Sequence, residues 1–166
     1  MAATETTNRP ALVETGKYLA FRLGNEEFAV PVGRVREIIP WQDVTPVPQV
    51  AEHVLGVINL RGKVVPVMDL RRRLGMPAAE RSARSCIVVL QADGKKLRSP
   101  VGAAVDGVSE VLQIQSGDVE DTAALAGDWM ESGFVRQIAK CRGKVKLLLA
   151  IETVLEPPGT LPGVER

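Results

Sequence analysis

Short apolar runs rich in Val, Ile and Leu recur along the chain, separated by clusters of Gly, Pro, Asn and Asp. That spacing predicts short strands joined by turns rather than amphipathic helices. Tyr18–Leu23, the turn Gly24-Asn25-Glu26 and Glu27–Val32 predict a first hairpin, with Pro31 marking an edge or an end of its second strand. Val35–Ile39 predicts a further strand, because Pro40 limits any helix there. Beyond a loop at Pro46 and Pro48, Val54–Leu60 and Val64–Met68 flank a turn at Arg61-Gly62-Lys63 and predict a second hairpin. Asp69–Leu74 predicts a short basic helix closed by Gly75 and Pro77. The pattern then resumes. Cys86–Leu90 and Val101–Val105 predict strands around a turn at 92–96. Apolar pairs at Phe134-Val135 and Ile138-Ala139 lead to a turn at Arg142–Lys144 and a final strand Val145–Ile151. Residues 1–16 and 157–166 lack the pattern and predict loose tails.

The two halves can be laid on one another. Phe28–Ile39 matches Val101–Leu112 without a gap, placing Val35 on Val108, Glu37 on Glu110 and Ile38-Ile39 on Val111-Leu112. Arg61-Gly-Lys-Val64 recurs as Arg142-Gly-Lys-Val145, and Leu70 and Leu74 fall on Ile151 and Leu155. The second half carries an inserted loop around 113–133. Two copies of a set of short strands predict two small barrels packed together. The expected division is a domain over 17–156, with subdomains roughly at 17–84 and 85–156, each closed either on its own strands or by a strand of the other half.

Composition narrows the function. The 166 residues are 45% hydrophobic and 25% charged, as in an ordinary globular protein, and the formal charge is only +1. Bulk electrostatic binding to nucleic acid or an anionic membrane is therefore not expected. No apolar stretch approaches the ~18 residues of a membrane span, and the polar N-terminus does not read as a signal peptide, so the expected location is the cytoplasm. Cys86 and Cys141 lie in apolar runs and read as reduced core thiols.

Candidate chemistry is sparse. The single histidine, His53, reads as a solvated loop residue, and nothing beside it suggests a nucleophile. Two cysteines and one histidine lack zinc-ligand spacing, and no phosphate-cradling glycine motif is present. The basic residues Arg61, Lys63, Arg71, Arg72, Arg73, Arg81 and Arg84 could track a phosphate backbone. Aromatic residues are only 4% of the chain, however, and none interleaves with them, so a charged helix face is the expected reading. A patterned β core with little reactive machinery points to a binding module.

Three stretches carry a family resemblance: Val35-Arg-Glu-Ile-Ile39, Gly56-Val-Ile-Asn-Leu-Arg-Gly-Lys-Val-Val-Pro-Val-Met-Asp-Leu-Arg71 and Ala104-Val-Asp-Gly-Val-Ser-Glu-Val111. In these the chain resembles the CheW family of chemotaxis adaptors, from about Tyr18 to Leu155. The resemblance implies a mainly β fold of two SH3-like five-stranded barrel subdomains with short helices. It implies a scaffold without catalysis or cofactor. Such a scaffold couples the cytoplasmic tip of transmembrane chemoreceptors to the regulatory domain of a CheA-type histidine kinase. It would be monomeric in isolation and ring-forming in membrane-associated arrays. Carried over position by position, the resemblance puts Val35, Glu37, Arg61, Cys86 and Val111 at the receptor contact, and Val44, Thr45 and Gly56 at the kinase contact. Asp118, Glu120, Asp121 and Asp128 depart from the family pattern by their acidity. The alternatives are a coupling protein of a non-flagellar chemosensory system and a small-barrel nucleic-acid binder.

Overall fold

The computed structural model describes residues 15–91, 99–120 and 133–155. Eleven strands are present among them: β1 (Gly16–Leu23), β2 (Glu26–Pro31), β3 (Val35–Pro40), β4 (Val54–Leu60), β5 (Lys63–Asp69), β6 (Cys86–Leu90), β7 (Val101–Val105), β8 (Gly107–Ile114), β9 (Val119–Glu120), β10 (Val135–Cys141) and β11 (Lys144–Leu149). Two short helices, α1 (Leu70–Arg73) and α2 (Ile151–Val154), follow β5 and β11. The predicted turn at 92–96 and most of both predicted tails lie outside the described residues.

The strands form a six-stranded sheet, β8-β1-β2-β11-β10-β9, and a five-stranded sheet, β3-β6-β7-β5-β4. The two orders correspond strand for strand if β1 and β2 are equated with β6 and β7, β8 with β3, and the β10–β11 hairpin with β4–β5. The pairing senses agree as well: β2 runs parallel to β11, and β7 parallel to β5. So do the irregularities. Arg36 in β3 and Ser109 in β8 are both skipped by the register, as are Leu55 in β4 and Arg136 in β10. Each sheet thus mixes the two halves of the sequence: β6 and β7 complete the sheet of β3–β5, and β1 and β2 complete that of β8–β11.

Both sheets curl into small barrels because the chain leaving one edge strand returns along the other edge. After β3 it reaches Thr45, which exchanges two backbone hydrogen bonds of 2.9 Å with Val57 of β4. After β8 it passes through a 3-10 turn at Ser116–Asp118 into β9, which pairs with β10. Strand alternation sorts the side chains. Tyr18 and Ala20 of β1 point into one barrel with Ala29, Leu112, Ile114, Ala139 and Leu148. Leu19, Phe21 and Leu23 point the other way, into a larger cluster shared with Val88, Leu90, Val101 and Ala103 of the other sheet. Ile58, Val65, Val67, Ile87, Val89 and Ala104 fill the second barrel. Strands β6 and β7 are buried along their whole length, which is why they read as unbroken apolar runs.

One element differs from the sequence expectation. The final strand stops at Leu149, and Ile151–Val154 is a helical turn instead of strand. Ile151, Val154 and Leu155 are spaced at helical intervals and all enter the shared core, so helical packing prevails over the apolar run. The equivalent turn, α1, is capped by Asp69, whose side chain accepts a hydrogen bond from the Arg71 amide at 3.1 Å. No described helix is long and apolar enough to cross a membrane.

Closure of the five-stranded barrel depends on Gly56. It is buried at φ +147°, and a Cβ there would stand 2.0 Å from the Thr45 carbonyl oxygen. The substitution Gly56→Ala is expected to lower unfolding free energy by roughly 2–4 kcal/mol, through backbone strain plus overpacking. Urea denaturation measures this; an unchanged midpoint would show that Thr45 need not pack on β4.

Candidate docking surface

Glu37 lies on edge strand β3, just after the skipped Arg36. Arg61 lies at the tip of the β4–β5 hairpin, on the opposite edge of the sheet. Arg61 and Gly62 form its two-residue turn with φ of +53° and +86°, the left-handed pair that fits the twist of a tight hairpin. The Asn59 side chain accepts from the Gly62 amide at 2.8 Å and fixes the turn. This conformation is uncommon for an arginine, and it sends the guanidinium back to Glu37. Nη1 donates to Oε1 at 3.1 Å, and Nη2 pairs with Oε2. The fork spans the seam of the barrel. Arg61's hydrogen bonds hold the Glu37 carboxyl below its ordinary range, outweighing its partial burial, and raise the guanidinium in turn. Both groups therefore stay charged at neutral pH, and the Arg61 side chain remains 71% exposed.

The other barrel repeats the arrangement with different neighbours. Arg142 and Gly143 form the matching turn, at φ +53° and +80°, and Arg142 reaches Glu110 of edge strand β8 at 3.5 Å. Here a second cation stands beneath. Lys146 of β11 is 1% exposed, where the first half has the apolar Val65. Its ammonium pairs with Glu27 and lies 3.6 Å from Glu110. Ser109 donates to Glu27 at 3.3 Å. The hydrogen bond from Lys146 is the main cause that holds the Glu27 carboxyl below its ordinary range, against the opposing effect of burial.

Apolar side chains flank both seams. Ile38 and Val111 occupy equivalent positions on β3 and β8 and are 44% and 55% exposed. Their cross-strand neighbours, Val88 and Leu19, belong to the shared core. Val35 is half-buried against that core, and its counterpart Val108 is 37% exposed. The shared core is therefore edged by partly open apolar positions on both edge strands.

Of the residues expected at the receptor contact, Glu37 and Arg61 touch directly. Val35 shares their strand, Val111 lies on the edge strand of the other barrel, and Cys86 is 8% exposed within the shared core. Burial pushes the Cys86 thiol up, so it is protonated. The three residues expected at the kinase contact do converge. Val44 packs against the barrel interior, Thr45 is exposed, and Gly56 lies directly beneath Thr45. Ile38, Val108 and the Lys146–Glu27–Glu110 cluster were not singled out by the sequence. The match of Glu37 to Glu110 and the lysine inside Val145–Leu149 were the available signals.

The basic cluster is largely neutralised from within. Arg71 holds Asp106 in a fork at 2.6 to 3.2 Å, and Arg72 lies 3.6 Å from both Glu52 and Asp69. Arg73 donates to the Thr153 and Val154 carbonyls at 2.9 Å and covers the Phe134 ring. Arg81 covers Trp41 and lies 3.7 Å from Asp69. These groups do not form a free basic track. His53, expected to be solvated, is half-buried instead, because its carbonyl accepts the Asp69 amide at 2.7 Å and anchors the 51–53 turn. Burial, then the charge of Arg73, pushes its imidazole down, so the ring is neutral. Its Nε2 is enclosed without a hydrogen-bond partner. Among the described residues no group of three or more His, Cys, Asp or Glu is placed to hold a metal ion.

The family model of the CheW-like domain matches residues 17–158. The chain belongs to the CheW family. The chemotaxis protein CheW of Rhizobium meliloti (strain 1021) is 40% identical over 136 residues, spanning 82% of this chain and 84% of that protein. Chemotaxis protein CheW of Bacillus subtilis (strain 168) is 36% identical over 111 residues, 66% and 69% of the two chains. The crystal structure of the scaffolding protein TtCheW from Thermoanaerobacter tengcongensis superposes with a TM-score of 0.76 at 29% identity, over 88% of this chain and 96% of that one. The two barrels are accordingly the SH3-like subdomains of the CheW fold.

The Lys146 cluster makes a testable demand. Glu27→Gln removes the chief partner of a buried ammonium and is expected to lower stability by about 2 kcal/mol at pH 7, less than for an isolated buried pair because Glu110 remains. A carboxyl with a lowered folded-state pKa stabilises fully above its ordinary value of 4.5, and that contribution is lost as pH falls through the lowered value. The difference in urea stability between the native chain and Glu27→Gln should therefore hold from pH 7 to near 5 and shrink below. A difference independent of pH down to 3 would assign the effect to packing.

Proposed function

We propose that this chain is a non-catalytic adaptor that couples chemoreceptors to a CheA-type histidine kinase in chemotaxis. Membership of the CheW family supports the adaptor role, and the exposed Arg61–Glu37 fork beside half-open apolar positions carries the receptor assignment. The fork offers a cation and an anion held in fixed positions at the surface, which gives orientation and selectivity to a contact. Val35, Ile38, Val108 and Val111 offer the apolar area that such a contact needs at its centre. A receptor presents the helical hairpin of its cytoplasmic tip, and one apolar helix face laid along the rim is the matching shape. Cys86, the cross-strand partner of Pro40, supports that rim from the core.

The kinase contact is assigned to the loop that closes the five-stranded barrel, where Thr45 lies on Gly56 and Val44 packs inward. This places it on the strand edge formed by β4, away from the β8 rim of the other barrel. Each contact is modest, and strength comes from many linked contacts in an array. The adaptor acts in the cytoplasm at membrane-associated arrays and needs no cofactor, because it passes on a difference in binding between two receptor states.

Purified adaptor, kinase and receptor signalling fragments test this together. Glu37→Lys or Arg61→Asp is expected to weaken receptor binding roughly tenfold. Thermal stability should change little, since an exposed pair contributes little to folding. The charge-reversed pair Glu37→Arg with Arg61→Glu should keep the fold and not recover binding if the partner reads each charge. Undiminished receptor affinity in folded single variants would remove the assignment. Failure of the unmodified chain to alter kinase activity in the ternary mixture would remove the coupling role itself.

A further inference from the structure

The chain crosses between the barrels twice. The first crossing, Val32–Arg34, carries β2 of the six-stranded sheet into β3 of the five-stranded one. The second, at Asp106, carries β7 into β8 in the opposite direction. Each crossing is held by an ion pair to the second residue of a helical turn. Arg34 pairs with Glu152 of α2 at 2.7 Å. Asp106 pairs with Arg71 of α1 at 2.6 Å and also accepts the Gly24 amide at 2.7 Å. In the overlay of the two halves, Arg71 and Glu152 are equivalent, and Arg34 falls one position from Asp106. The two pairs are therefore near-equivalents with their charges reversed.

That reversal has a consequence for topology. Helix α1 follows β5 and lies beside the crossing that leaves β7, the parallel neighbour of β5. Helix α2 follows β11 and lies beside the crossing that leaves β2, the parallel neighbour of β11. Two similar halves could also close each on its own strands, with β2 beside β5 and β7 beside β11. Arg71 would then face Arg34, and Glu152 would face Asp106, like charge against like. The buried lysine points the same way. Lys146 of the second half takes its partner Glu27 from the first, whereas the overlay puts Pro100 in place of Glu27 in the second half. The seam pairs Glu37–Arg61 and Glu110–Arg142 lie within one half each and would survive either arrangement.

We propose that the opposite polarity of Arg34–Glu152 and Arg71–Asp106, backed by Lys146–Glu27, selects the strand-exchanged pairing of this chain over self-closure of each half. Like-charge contact is how such an alternative is penalised without any cost to the native contacts.

Two variants of the full chain isolate this effect. In Arg71→Glu with Asp106→Arg, both native crossing pairs stay attractive, yet self-closure becomes attractive too. In the fourfold variant, which adds Arg34→Glu and Glu152→Arg, the native pairs are again attractive and self-closure is again repulsive. Both lose the Gly24 contact equally. Refolding from urea, followed by tryptophan fluorescence and amide spectra, is the readout. The double variant is expected to lose refolding amplitude and show a second set of amide resonances, and the fourfold variant to refold in full as a single species. A double variant that does not fold beside a fourfold variant that does would support the proposal equally. Equal behaviour of the two, whether both refold fully or both fail, overturns the proposal, as does a defect confined to the fourfold variant.

Discussion

Burial of the central strands on both faces is the constraint on which this molecule rests. Curling a sheet into a small barrel covers one face of β1, β2, β6 and β7 and leaves the other apolar face open. Among the described residues that face is covered by the equivalent face of the other barrel, where Leu19, Phe21, Phe28 and Val30 meet Val88, Leu90, Val101 and Ala103, and by Leu70, Leu74, Ile151, Val154 and Leu155 around the two helical turns. Each barrel is therefore incomplete without its neighbour, and apolar burial is the dominant favourable term in holding such layers together. The partly open rim follows from the same geometry. Edge strands β3 and β8 have a neighbour on one side only, so Ile38 and Val111 are left half in solvent although their cross-strand partners are fully buried.

Polar groups divide the two barrels that the backbone makes alike. Both seams carry a glutamate facing an arginine from a left-handed turn. In one barrel that arginine is the sole cation on the glutamate at ion-pair distance among the described residues. In the other, Lys146 lies behind Glu110 and is itself bound to Glu27. A carboxylate whose partner is an exposed arginine can trade that partner for another charge at small cost. One that also lies 3.6 Å from a buried ammonium gives up a second cation when it moves. Equivalent positions thus become an exchangeable contact in the five-stranded barrel and a fixed brace in the six-stranded one.

How much of this is legible in sequence follows from which interactions are local. The doubly buried strands announce themselves as unbroken apolar runs, and Arg61-Gly62 and Arg142-Gly143 announce tight turns. Ile151–Val154 misleads because a single helical turn with Ile151, Val154 and Leu155 inward looks, in isolation, like the end of the apolar run before it. Its match to Leu70–Leu74 was the better guide. The overlay brings Glu37 and Glu110 into view as equivalents, but not their partners, because a seam pair exists only once a sheet has curled and its edges have met. His53 escapes for a similar reason: its burial is set by the Asp69 amide, at the far end of the next hairpin.

Near-symmetry with unequal chemistry has a consequence for an adaptor. Two matching barrels held by one core present their edge strands and hairpin tips in a fixed relation, so contacts made on one are registered against contacts made on the other. If the tips were chemically identical, a partner could dock in two orientations of equal energy, and the relation would carry no information. Lys146 in place of Val65 makes the charge behind the two seams differ while the backbone stays equivalent down to its bulges. The strained turn at Arg61 works in the same direction. A left-handed arginine costs free energy of order 1 kcal/mol or more, and it persists in both halves because the hairpin twist requires it. In the half that lacks the buried lysine the guanidinium so placed forms a two-point fork with its glutamate, whereas Arg142 reaches Glu110 at 3.5 Å with Lys146 beside it at 3.6 Å.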